Sequence, residues 1–188
     1  MDKITTSVGN LTYLKEDRYW CGRFKYNQEW LFCVIAEGES EEIRSIMESC
    51  SDDDGLINHD EFILKAPPFE IDSDHIKSFE AVVGNLDLFL KNLQNDILHQ
   101  YAYFRDMHYN EGGSFSFDIP ENDDAWDIRI HEIIFDGKEL KTINISQSEC
   151  GTYYSLAFEK GKLERMDYTE EEYLVENDMY SGPLDDLE

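Results

Sequence analysis

Nowhere in its 188 residues does this sequence hold a run near the ~20 apolar residues that a bilayer span needs. Its opening, Met1-Asp2-Lys3-Ile4-Thr5-Thr6, has no apolar core of the kind a signal peptide carries. These absences set the expectation of a cytoplasmic protein with no membrane partner. The four cysteines, Cys21, Cys33, Cys50 and Cys150, form no C-x-x-C pair and are too sparse for a disulfide framework. They read as reduced thiols, mostly buried. Basic residues are the next scarcity: 16 Lys and Arg stand against 42 Asp and Glu, a net charge of −26. A field of that sign repels nucleic acid and anionic membranes and attracts basic proteins. A halophilic host would also yield an acidic chain, but the 11 Tyr and 11 Phe here argue against that origin.

Catalytic signatures are missing too. There is no G-x-S-x-G, no P-loop and no G-x-G-x-x-G. The five histidines, His59, His75, His99, His108 and His131, form neither H-x-x-x-H nor H-E-x-x-H. Cys150 sits in Ser148-Glu149-Cys150-Gly151, an acidic neighbourhood, whereas a reactive thiolate needs positive charge nearby. The expectation is therefore no catalytic residue, no metal ligand set and no cofactor.

What is present is enough to build a core. Apolar residues make up 41% of the chain and aromatics 13%, unlike a disordered sequence. Asn10 to Leu14, Tyr19 to Tyr26 and Trp30 to Ala36 read as strands, with a turn at Asn27-Gln28. Ser40 caps a short helix to Glu48, with Ile43, Ile46 and Met47 at helical spacing. A polar loop from Ser49 to Asp60 leads to Glu61-Phe62-Ile63-Leu64, read as a strand stopped by Pro67-Pro68. From Asp72 to His108 an apolar stripe through Ile76, Phe79, Val83, Leu86, Leu90, Leu93, Ile97, Tyr101 and Phe104 marks one or two amphipathic helices, with Gly84 the place for a split or a bend. Ser114 to Ile119 alternates like a strand. Ile128 to Phe135 and Glu139 to Ser146 flank Asp136-Gly137, and Thr152 to Phe158 and Lys162 to Tyr168 flank Glu159-Lys160-Gly161, giving two hairpins.

The order sheet, helices, sheet is α+β, with antiparallel sheet elements at both ends of the chain packed on a central amphipathic helical region. Residues 1–168 read as a single domain, 1–110 and 111–168 being an alternative division into sub-lobes. Residues 169–188 form an acidic tail without Lys or Arg.

Three acidic segments invite a functional reading. Cys50 to Glu61 resembles an EF-hand loop aligned on Gly55, with Asp52, Asp54 and Glu61 at ligand positions, but Cys50 stands where a hard cation wants a carboxylate. No tight calcium site is expected there. Glu121, Asp123, Asp124 and Asp127 surround Trp126, and Glu170, Glu171 and Glu172 open the tail near Tyr173. An aromatic anchor ringed by charge suits a protein interface. From Glu111 onward there are 21 acidic and 6 basic residues, net −15, against 21 and 10, net −11, before it. The expected partner-binding residues are therefore Glu121, Asp123, Asp124, Trp126, Asp127, Glu170, Glu171 and Glu172.

Val8-Gly9-Asn10-Leu11-Thr12-Tyr13 with Trp20-Cys21-Gly22, the central helical stretch, and Gly151-Thr152-Tyr153 through Gly161-Lys162-Leu163 follow one another in a characteristic order. In this the chain resembles a loose group of short acidic bacterial proteins of uncharacterised function that are similar to polymorphic-toxin immunity proteins. The sequence departs from that group in its long 49–68 loop and its acidic tail. The resemblance implies a cytoplasmic inhibitor that occludes a basic toxin domain without chemistry of its own. The rival expectations are an acidic nucleic-acid mimic against a defence nuclease and a metal-dependent enzyme.

Overall fold

The computed structural model describes residues 2–38, 40–52, 54–110, 128–147 and 152–169. Four strands come first: β1 (Lys3–Thr5), β2 (Asn10–Leu14), β3 (Tyr19–Tyr26) and β4 (Glu29–Ala36). Four helices follow: α1 (Glu41–Ser49), α2 (His59–Lys65), α3 (Ser73–Val83) and α4 (Leu86–Asn110). The chain then returns to strands as β5 (Ile128–Asp136), β6 (Glu139–Gln147), β7 (Thr152–Glu159) and β8 (Lys162–Thr169). The fold is mixed α+β. The expected strand at Ser114–Ile119 lies outside the described residues.

All eight strands join one sheet in sequence order, β1 through β8. Each neighbouring pair is antiparallel except one: β4 and β5 run parallel, with Phe32 opposite Glu132 and Ala36 opposite Asp136. The expected antiparallel elements at the two ends are both present; the parallel seam that joins them was not expected. Two meanders are thus fused edge to edge into a mixed sheet. The parallel seam follows from chain direction, because a parallel pair needs a long crossover and the helices lie in that connection.

Local chemistry accounts for most boundaries. The β3–β4 turn places Asn27 and Gln28 at φ 48° and 68°, and the β7–β8 turn places Lys160 and Gly161 at 50° and 75°. Both are the two-residue, doubly left-handed turns that match strand twist. The β5–β6 turn sits on Gly137-Lys138, one residue later than Asp136-Gly137, with Gly137 at φ 57° in its first central position. Ser40 caps α1 by accepting the Ile43 N–H at 3.1 Å, and Asp72 caps α3 by accepting those of Asp74 and His75. Gly84 ends α3 in right-handed geometry, and only Asn85 separates it from α4.

The segment Glu61–Leu64 is helical, not a strand. Asn58 accepts the Glu61 N–H at 3.2 Å as N-cap, and Lys65 pairs with Glu61 one turn away at 2.7 Å. Burial also follows a helix: Phe62 is buried while Leu64 is exposed. A strand would have put both on one face.

One large core joins sheet to helices. Phe79, Leu86, Leu90, Leu93 and Ile97 of α3 and α4 pack on strand residues that include Leu31, Ile35, Ile133, Ile143 and Leu156. Tyr19, Cys21, Phe32 and Val34 form a second cluster, and a third of Ile43, Cys50, Phe62 and Ala66 holds α1 to α2. Cys21, Cys33 and Cys50 are free, buried thiols; Cys150 lies outside the described residues. Among the described residues no helix is long and apolar enough to cross a membrane.

Candidate functional site: an acidic and apolar surface around helix α2

The expected partner-binding residues Glu121, Asp123, Asp124, Trp126, Asp127, Glu170, Glu171 and Glu172 all lie outside the described residues. Within the described chain, charge and exposed apolar area coincide at α1, α2 and their connection. Residues 40–66 carry eight acidic and two basic residues, a net −6 over 27 positions, denser than the −26 over 188 of the whole. Three apolar side chains there face solvent: Leu56 is 69% exposed, Ile57 42% and Leu64 85%. Single exposed leucines are ordinary, but three such apolar residues within one short segment, interleaved with carboxylates along the chain, are a concentration.

The loop between α1 and α2 is internally braced. Asp52 Oδ1 accepts the backbone N–H of Asp54 at 3.0 Å and of Leu56 at 2.8 Å, Gly55 takes φ 80°, and Ser51 bridges Ile57. Of the EF-hand-like ligand positions, Cys50 is buried at the end of α1 and Glu61 is engaged by Lys65. Among the described residues no group of three or more His, Cys, Asp or Glu side chains is placed to hold a metal ion.

A clamp fixes this helical hairpin to the sheet. In the β2–β3 turn Arg18 adopts φ 58°, a left-handed conformation that costs a non-glycine residue about 1 kcal/mol. That twist turns its side chain inward, where it is only 7% exposed. The guanidinium donates to Glu37 from two nitrogens, to the Pro67 carbonyl at 2.8 Å and to the Ala66 carbonyl at 3.4 Å, and lies over the Phe62 ring at 5.1 Å. Below it, the Trp20 indole N–H donates to the Phe69 carbonyl at 2.9 Å, and the Phe69 N–H donates to the Tyr13 hydroxyl at 3.1 Å. The carbonyls of Ala66, Pro67 and Phe69 are therefore satisfied by side chains of the β2–β3 turn and β3, and the Phe69 N–H by Tyr13 of β2, as buried backbone requires.

Between that turn and α2 runs an open trough. One depression of about 570 Å³ is walled by Tyr13, Leu14, Asp17, Ile63, Ala66 and Pro68, and a second of about 520 Å³ continues it past His59 and Asp60. Glu16, Asp17 and Ile63 border both. The Asp17 carboxyl is held above its ordinary range, first by partial desolvation and then by Glu16, with His59 opposing.

A further polar cluster sits on the sheet at the β5 bulge, where the register shifts between Ile130 and Glu132. Glu132 is wholly buried and accepts from the Asn144 amide at 2.5 Å; His131 Nε2 lies 2.7 Å from Ser146 Oγ, and its ring is 5.0 Å from that of Tyr153. The Ser146–His131 contact has the separation of a nucleophile–base pair. Ser146 is buried, however, so its hydroxyl does not meet a substrate from solvent. The thiols are equally quiet: burial, reinforced by Asp17, pushes Cys21 up to about 12, and burial holds Cys33 well above its usual value. Both stay protonated at neutral pH and so are poor nucleophiles.

Neither the trough nor the bulge cluster was read from sequence. The trough joins residues 13–18 to residues 59–68, and only the tertiary fold makes them neighbours. The bulge cluster could have been suspected from Glu132, a charged residue inside the apolar run Ile130 to Phe135. No family model, curated protein or solved structure matches this chain.

Proposed function

We propose that this protein is a cytoplasmic inhibitor of the immunity type, which binds a basic toxin domain such as a nuclease and occludes it without chemistry of its own. The observation that carries this reading is the conjunction of Leu56, Ile57 and Leu64 in solvent with the carboxylates of the same helical hairpin. Carboxylates steer a basic protein to the surface and raise the association rate, to about 10⁸ M⁻¹s⁻¹ or more at low salt. Apolar side chains slow dissociation once water is excluded around them. A pure nucleic-acid mimic needs the first and gains little from the second, so the exposed apolar residues favour a protein-binding inhibitor over a charge mimic.

The test is association with the basic protein encoded beside this gene, followed by surface plasmon resonance across a salt series. Nanomolar binding is expected, with an on-rate that falls steeply with salt and an off-rate raised at least tenfold by Leu64→Asp. A neighbour that shows no association at ~10 µM and low salt, or the lack of any basic protein-coding neighbour, overturns the reading.

A further inference from the structure

We propose that the trough between the β2–β3 turn and α2 is a subsite for one lysine or arginine side chain of a basic protein partner. The aliphatic stem would lie on Leu14, Ile63 and Pro68, and the head group would meet Asp17, Glu16 and Asp60. The proposal rests on the reading of a basic partner and names where on this chain such a partner is gripped.

The argument begins with the walls. Leu14, Ile63, Ala66 and Pro68 make an apolar floor, while carboxylates of Glu16, Asp17 and Asp60 stand along its length. Long basic side chains have that same division, an apolar stem with a charged tip. A purely apolar occupant would leave the carboxylates desolvated without a partner, which is costly. An anion would be repelled.

Charge complementarity is preserved by the clamp. Two cations border the trough, Lys15 and Arg18. The Arg18 charge is spent on Glu37, and its guanidinium is turned away to the 66–67 carbonyls. Four carboxylates, Asp2, Glu16, Asp17 and Asp60, then outnumber Lys15 and the His59 imidazole, so the net field in the trough is negative. The crowding of Asp17 by Glu16 and by the trough walls, seen in its raised carboxyl, is what a seated cation would relieve.

The occupant's frame is protein, because Leu64, which borders the second depression beside Ile63, is 85% exposed and offers apolar surface next to the charged trough. A free amine of the same charge would use the trough and leave Leu64 idle.

The experiment uses the full chain with three probes: acetyl-hexalysine-amide, the same peptide with every side chain acetylated, and spermidine. Binding is followed by calorimetry and by amide chemical shifts at about 20 mM salt. Hexalysine should bind and shift the signals of Leu14 to Arg18 and Ile63 to Ala66, and the acetylated peptide should not. Asp17→Asn with Asp60→Asn should weaken hexalysine about tenfold, whereas Asp52→Asn with Asp54→Asn, an equal charge change, should weaken it less than about twofold. Ile63→Asn, which alters no charge, should weaken it about threefold through the lost floor. Thermal melts of all variants certify the fold. Equal losses from the two charge pairs overturn the trough and leave the basic-partner reading standing. Spermidine binding as tightly as hexalysine, with the same shifts, also overturns a protein side chain as the occupant. No hexalysine binding at all overturns both readings.

Discussion

Two pairs of helices lie in the connection from β4 to β5, and they are held in opposite ways. α3 and α4 lay Phe79, Leu86, Leu90, Leu93 and Ile97 into the main core, where the sheet supplies matching residues from both meanders. α1 and α2 share a core of only Ile43, Cys50, Phe62 and Ala66, turn Leu56, Ile57 and Leu64 outward, and are fixed by a charged clamp at Arg18. One pair is bonded by the exclusion of water, the other by satisfied polar groups beside an exposed apolar surface. Binding elements are commonly drawn from the less stable part of a fold, and this contrast says which part that is.

The largest expected effect lies in the first pair. Ile97→Ala and Leu90→Ala should each lower unfolding free energy by about 3–4 kcal/mol in denaturant titrations, the ordinary cost of a cavity in a dry core. Ile43→Ala should cost visibly less, since its cluster is small and borders solvent. A loss for Ile43→Ala as large as that for Ile97→Ala would break the comparison.

Next comes the clamp. Arg18→Met strands Glu37 and the carbonyls of Ala66 and Pro67 and should cost about 2–3 kcal/mol. Hydrogen exchange should locate that loss, with amides of residues 59–66 exchanging faster and those of α4 near Ile97 changing little. Uniform acceleration over both pairs of helices would show that the clamp supports the whole fold and not one hairpin.

Smaller still is the effect of Leu64→Ser, which should leave the melting midpoint within the error of a surface change, under about 0.5 kcal/mol. Any larger loss would mean that Leu64 is covered in solution.

The smallest effect is one of sign. Asp17 holds its proton to higher pH in the folded chain than in the unfolded one, because of burial first and Glu16 second. Folded stability therefore declines as pH rises through that interval. Asp17→Asn should match the wild type near pH 3, where both side chains are neutral, and exceed it at pH 7. A variant less stable than wild type at pH 7 would show that the carboxylate is favourably paired.

Sequence carried the elements whose causes are local. The strands from Asn10 to Ala36, the Ser40 cap, the helices parted at Gly84 and the two C-terminal hairpins each depend on neighbours a few residues away. β1 is not legible because Lys3–Thr5 is too short to show alternation. α2 reads as a strand because Phe62-Ile63-Leu64 is strand-like in composition, while the Asn58 cap and the Glu61–Lys65 pair that decide for helix are polar and look like loop. The parallel seam was illegible for a different reason: nothing in Phe32–Ala36 marks it for Glu132–Asp136. The acidic excess was plain in the composition, but its concentration beside exposed Leu64 needed the packing of α2 to be known.

That seam also sets the order of assembly. Within each antiparallel meander, paired residues lie close along the chain, as with Tyr26 and Glu29 or Glu159 and Lys162, so loop closure there is cheap. At the seam, Cys33 meets Ile133 and Ile35 meets Phe135, partners separated by a hundred residues. Contacts of such range slow folding, since the chain entropy is lost before the contact forms. Each half is therefore expected to zip early by itself, and the union of the two halves along β4 and β5 to set the folding rate. The residues of that junction are where a substitution should retard folding most, whereas a change in the α1–α2 surface should leave the rate untouched.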